Sequence, residues 1–259
     1  MRTQWIVGLL VGALVVGFVG GIVGRFLLPA SGDLGDLPDR VARVESGQKE
    51  LETRVTEITP SGAGLRVGVV NAEDLFNKVF LPQVQTERAA LEGKTKDIQA
   101  LQADYAAGKI TTEVYQQRYL RLQAELLEAT LAVNLAMLDK MIASPGFLNL
   151  RSDLQNLRTE ASPVETEVQN VVKEVQVAIL DPTGFAGRLQ QLQTALQQLE
   201  TLLVQVSALK IVEISQQIAK EQGYDLVLRT RDVIVFRREG AVVDLSSEVE
   251  GRLWRLFSS

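Results

Sequence analysis

The sequence predicts an α+β chain that is mostly helical. A small β-sheet or barrel body carries long antiparallel coiled-coil helical arms, preceded by one transmembrane helix and a short coiled-coil stalk. Three observations predict this. The chain opens on the uncharged apolar run WIVGLLVGALVVGFVGGIVG, from Trp5 to Gly24. Apolar residues at heptad-like spacing then dominate from about Val84 to Gln222. Alternating, β-branched segments stand on both sides of that region: LRVGVVN from Leu65, and YDLVLRT, DVIVFRR and AVVDL near the end. Each alone would be an isolated edge, so these strands must meet in space.

The uncharged run is about 20 residues, or about 30 Å of helix, one hydrocarbon thickness. It exceeds the roughly 7–15 apolar residues of a signal peptide. Its exit, Leu27-Leu28-Pro29-Ala30-Ser31, puts Leu28 where cleavage after Ala30 would need a small residue. An uncleaved anchor over 1–30 is therefore expected, beginning at Trp5. Arg2 on the amino-terminal side keeps that end in the cytoplasm, which places the body outside the cytoplasmic membrane, in the periplasm or cell envelope. Gly8/Gly12, Gly17/Gly21 and Gly20/Gly24 are GxxxG pairs; they suit close helix approach, and also the general abundance of Gly in membrane helices.

Residues 31–60 form a linker and stalk. Val41, Val44, Gln48, Leu51, Val55 and Ile58 follow spacings of 3, 4, 3, 4 and 3, an a/d seam with one polar position. Asp36 caps this helix, Pro38 lies in its first turn, and Pro60 stops it. A segment so short is marginal alone; it serves as a parallel oligomeric stalk or as a solvated spacer.

The first part of the body spans 61–82: the strand Leu65–Asn71, then the short helix AEDLFNKVF, which Pro82 ends or restarts. A helical hairpin arm follows over 83–143. Val84, Leu91, Ile98 and Tyr105 recur every seven residues up to Gly108, a C-terminal stop. Thr111 caps the second helix, with Glu113 in its first turn. Its seam is Tyr115, Tyr119, Leu122, Leu126, Ala129 and Val133. A surplus stripe at Leu120, Leu127, Leu131 and Leu138 exceeds what one hairpin seam needs, so it meets either a second neighbour or a client.

Inserted helices extend the arm over 144–199. SPGFLNL interrupts the pattern at Ser144. The capping box Ser162-Pro163-Val164-Glu165 opens a helix carrying Val164, Val168, Val171 and Val175, and DPTGFAG breaks it at Asp181. The last long helix, expected from about Arg188 to Gln222, has the seam Leu189, Leu192, Leu196, Leu199, Leu203 and Val206; its part over 200–222 returns to the body. Residues 223–259 complete the body: Gly223, two strands joined at Arg231-Asp232, a third short strand, and a terminal amphipathic helix capped near Ser246.

Composition narrows the chemistry. The 259-residue chain carries 27 Lys+Arg against 32 Asp+Glu, and no His or Cys. The common general base, the thiolate nucleophile and the usual soft metal ligands are missing. Mild acidity argues against nucleic acid, which needs clustered cations. No P-loop, GxSxG or metal-spacing motif occurs. Glu73 and Asp74 are adjacent on a helix and do not face each other. No catalytic, cofactor or metal residue is assigned.

RVGVVNAEDLFNKVF, the tip AAGKIT, and KIVEISQQIAKEQGYDLVL, VIVF and VVDLSSEV together resemble the Skp/OmpH-like family of periplasmic chaperones, over about Leu65–Ile142 and Ala208–Phe257. The resemblance implies a homotrimer whose strands share a β-barrel body, with arms that enclose unfolded outer-membrane or envelope proteins. Val69, Val70, Asn71, Leu75, Phe76, Tyr224, Leu226, Val227, Asp244, Leu245 and Val249 match body positions, as packing and capping residues. The chain departs from the family in keeping an anchor and stalk, in its net acidity, and in the segment Ser144–Leu199. Two functions are expected from it: a membrane-tethered, ATP-independent holdase, or a structural spacer of the envelope that holds no client. In the holdase, Leu127, Leu131, Leu138, Phe147 and Phe185 are the candidate client contacts, the two Phe residues serving otherwise to plug hairpin ends.

Overall fold

The computed structural model describes residues 65–177, 182–230 and 242–258. The chain separates into two units, Met1–Asp33 and Leu34–Ser259, and every described residue belongs to the second. The expected anchor positions Trp5, Gly8, Gly12, Gly17, Gly21 and Gly24, the expected stalk seam Val41, Val44, Leu51, Val55 and Ile58, and the segment DVIVFRR, expected as a strand, lie outside the described residues.

The unit is mostly helical, with a small three-stranded parallel sheet. β1 (Val67–Val70) lies between β2 (Leu226–Arg229) and β3 (Val243–Asp244). Val67 pairs with Leu226 and Val69 with Leu228; on the other side Gly68 pairs with Val243. Parallel pairing needs a long crossover. Here the crossover from β1 to β2 is the whole helical region, which leaves the sheet and returns to it.

After β1 the helical path changes its winding instead of breaking. α1 (Ala72–Leu75) runs into a π turn, Phe76–Phe80, and then a 3-10 turn, Leu81–Val84, with Pro82 in its first turn. Pro82 has no N–H to donate, so it suits the start of a new winding. α2 (Gln85–Ala106) and α3 (Thr112–Ala143) form the helical hairpin. The turn between them needs a left-handed residue, which Gly108 supplies at φ 69°. The Thr111 hydroxyl accepts from the Val114 N–H and caps α3.

The segment Pro145–Leu150 is a 3-10 turn leading into α4 (Arg151–Glu160), a helix the sequence reading did not separate. α5 (Ser162–Val177) starts at Ser162 itself, and Glu165 pairs with Arg158 at 3.0 Å in place of the expected reach back to Ser162. α6 (Pro182–Gln222) starts earlier than the expected Arg188, because Pro182 serves as a first-turn residue and the glycines Gly184 and Gly187 are carried inside the helix. α7 (Ser246–Phe257) closes the chain.

One apolar core unites these elements apart from α2, whose buried Ile98 and Leu101 lie outside it. Leu189, Leu192, Leu196, Leu199, Leu203 and Val206 of α6 are all buried, as are Val168 and Val171 of α5. Among the described residues, Gly184–Gln222 is one helix long and apolar enough to cross a membrane by length and composition, with a window of mean hydropathy 1.2. Its buried stripe packs against α3, α5 and α7, which is the pattern of a core helix.

Candidate functional site: the body and the helical hairpin

The body is tied together at both ends of β1. At the start, the Arg66 N–H donates to Asp225 Oδ2 at 2.8 Å, and its guanidinium donates to the Gln222 carbonyl at 2.6 Å. The same guanidinium lies 4.8 Å from the centre of the Tyr224 ring. The end of α6 is thereby clamped to the entry of β1. At the far end, Asn71 Oδ1 accepts from the Asp74 N–H and caps α1. The Asn71 N–H donates to Ser246 Oγ at 2.9 Å, and the Ser246 N–H donates to Asp244 Oδ1 at 2.9 Å. Asn71, Asp244 and Ser246 thus satisfy the polar groups where β1 and β3 give way to helices.

The candidate body-packing residues gather here. Val69, Val70, Leu75, Leu245 and Val249 are buried, while Phe76, Tyr224, Leu226 and Val227 are half-buried. An aromatic group joins the two ends of the chain: Phe80 stacks on Phe76 at 5.7 Å and meets the edge of Phe257 at 5.5 Å, and Phe257 lies 5.5 Å from Phe147. The 3-10 turn and α7 come very close at Gly146. A Cβ there would stand 2.4 Å from Leu256 Cδ2 and 2.7 Å from the Leu256 Cα.

Along the hairpin, Lys94 of α2 reaches Glu125 of α3 at 2.8 Å, and Arg121 donates to the same carboxylate at 2.8 Å. Burial pushes the Glu125 carboxyl up, but the two cationic hydrogen bonds outweigh it and hold it below the usual carboxylate range. At the tip, Tyr105, Tyr115 and Tyr119 stack in series, with centroids 4.4 and 5.5 Å apart.

The candidate client contacts require correction. Leu127 and Leu131 are each 4% exposed and Leu138 is fully buried. Phe147 and Phe185 are also 0% exposed. All five sit in the single-chain core. The physical reason is that α5 and α6 pack against α3, which buries Leu127, Leu131 and Leu138 of the surplus stripe and leaves Leu120 half-buried. Phe147 packs against Phe257 and Phe185 lies beneath the Arg188 guanidinium, and neither faces solvent.

Two polar residues in this core were not singled out from sequence. Asn134 is buried, and its amide donates to the Leu196 carbonyl of α6 at 3.3 Å. Lys210 is 3% exposed, with its ammonium 2.8 Å from both Asn149 Oδ1 and Glu213 Oε2. Both interrupt an apolar stripe, Asn134 between Leu131 and Leu138 and Lys210 between Val206 and Ile214. A polar residue on a buried stripe is the signal that could have found them.

Among the described residues no group of three Asp or Glu side chains converges as a metal site. No family model, curated protein or solved structure matches the chain.

Proposed function

We propose that the chain is a membrane-tethered, ATP-independent holdase of the cell envelope, acting as a homotrimer on unfolded outer-membrane or envelope proteins. One observation carries the reading. Strands from both ends of the helical region pair in one sheet, so a small body is assembled from distant parts of the chain. This supports the body-and-arm plan that the Skp/OmpH-like resemblance implies, with three bodies closing a shared barrel and the arms forming the walls of a client cavity. The anchor over 1–30 and the stalk over 31–60 would hold that cavity beside the membrane.

Since the stripe at Leu127, Leu131 and Leu138 is committed to the core, client contact in this reading falls to the hairpin α2–α3. Its half-buried Leu91, Val114, Leu120 and Leu122 leave apolar area on its flanks. Contacts of this kind are weak singly, at about 25 cal/mol per Å² of apolar surface removed from water, and add along the hairpin. The test is aggregation of an unfolded β-barrel protein on dilution from urea. The full chain in neutral detergent should suppress light scattering at about one trimer per client, and with little dependence on salt, because screening acts on charge and not on apolar burial.

Burial of the surplus stripe favours a second reading, the structural spacer. A helical layer that satisfies its own apolar surface needs no client. Undiminished client aggregation in that assay, from a chain that is trimeric and folded, selects the spacer.

A further inference from the structure

We propose that the cleft between the Pro145–Leu150 turn, α6 and α7 binds a phosphate-bearing ligand. Its lining brings together Lys210 from α6 and Arg252 and Arg255 from α7, against one carboxylate, Glu213. Gly146 and Leu256 add an apolar wall, and the cavity measures about 310 Å³. That volume exceeds a bare phosphate and leaves room for an attached glycerol or sugar; small-molecule sites begin at about 300 Å³.

The three cations differ in how far they are already satisfied. Arg252 is held by Glu221 at 2.5 Å and Glu248 at 2.9 Å, neither of which lines the cavity. It is therefore fixed in place more than it is free to attract. Lys210 is held at depth: its ammonium has Asn149 Oδ1 and Glu213 Oε2 as partners, and lies 5.6 Å from the centre of the Phe147 ring. An ammonium carries three donors, so one remains. Glu213, its one anionic partner among the described residues, is itself 41% exposed and open to solvent screening. Arg255 lines the same cleft, is exposed, and has no ion-pair partner among the described residues. A buried ammonium and an exposed, unpaired guanidinium lining one cleft suit the oxygens of a phosphate monoester. Glycerol phosphate as a free solute and the headgroup of phosphatidate offer the same chemistry. The inference stands whether or not clients are held.

The test uses the full chain in neutral detergent. Titration calorimetry measures binding of glycerol 3-phosphate, and a parallel arm uses mixed micelles with phosphatidate in place of phosphatidylcholine. Saturable binding of either probe is expected, and which arm responds identifies the source. Arg255→Gln and Lys210→Met should each weaken it at least about tenfold, the loss of one charge-assisted bond. Glu213→Gln should strengthen it. Arg255 is exposed, so its variant carries the test even if Lys210→Met fails to fold. The proposal is overturned by absence of binding in both arms at millimolar probe, by affinity unchanged in Arg255→Gln, or by a poly-glutamate peptide binding more tightly than either phosphate.

Discussion

Replacing Leu131 by Ala removes the branched end of a side chain that is 4% exposed and sits where α3 meets the inserted helices. The lost transfer free energy is roughly 2 kcal/mol at about 0.8 kcal/mol per buried carbon. The space left behind adds about 24 cal/mol per Å³ of uncollapsed cavity, which brings the total to about 3–4 kcal/mol. That is a large part of the roughly 5–15 kcal/mol that stabilises an ordinary domain. Changing Leu127, Leu131 and Leu138 together to Ser should therefore leave no folded helical layer. Urea unfolding followed by circular dichroism, on the full chain in neutral detergent, reads the single change as a lower midpoint with an unchanged slope. A shift below about 0.5 kcal/mol, the range of ordinary surface substitutions, together with lost client holding, would refute the argument. It would mean that the stripe faces solvent or client and that the packing of α5 and α6 on α3 is wrong.

Gly146→Ala should destabilise the docking of α7 by about 1–3 kcal/mol, since the new methyl meets the Leu256 backbone as well as its side chain; thermal melting followed by Trp254 fluorescence reports it. Glu125→Gln should cost roughly 1 kcal/mol near neutral pH. Because the folded carboxyl is held below its ordinary value by Lys94 and Arg121, that contribution is present above the unfolded pKa and disappears as pH falls through the lowered folded value; melting curves of both proteins should converge in acid. Glu200 is the opposite case. Burial raises its carboxyl, so its effect on stability is most favourable below the unfolded pKa and is lost as pH rises through the folded value. Glu200→Gln should then melt higher than the parent at neutral pH, and the two should coincide in acid. Light scattering of the detergent-solubilised chain should give three chains per particle, and a monomer at micromolar concentration would remove the shared barrel from the proposed function.

Much of the helical layer is written in local pattern. Leu189 through Val206 repeat at helical spacing and are buried together; Thr111 and Gly108 are short-range signals for a cap and a stop, and both act as such. Pairing of the strand at Val67 with those near Leu226 and Val243 was legible because a lone short strand leaves its backbone polar groups unpaired. What the sequence by itself determined is therefore periodicity, termini and the need for distant strands to meet. Only the tertiary structure decided which neighbour covers which face. The stripe at Leu127, Leu131 and Leu138 has the same spacing whether a client, a second copy or α5 and α6 lie over it, since helical period records that a face is apolar and not what buries it. For the same reason Lys210 and Asn134 read as defects in a stripe until Asn149 and the Leu196 carbonyl are brought beside them. The continuous winding through Phe76 and Pro82 was not legible either: Phe80 within it packs on Phe257, which is far away along the chain and adjacent only once the body has closed.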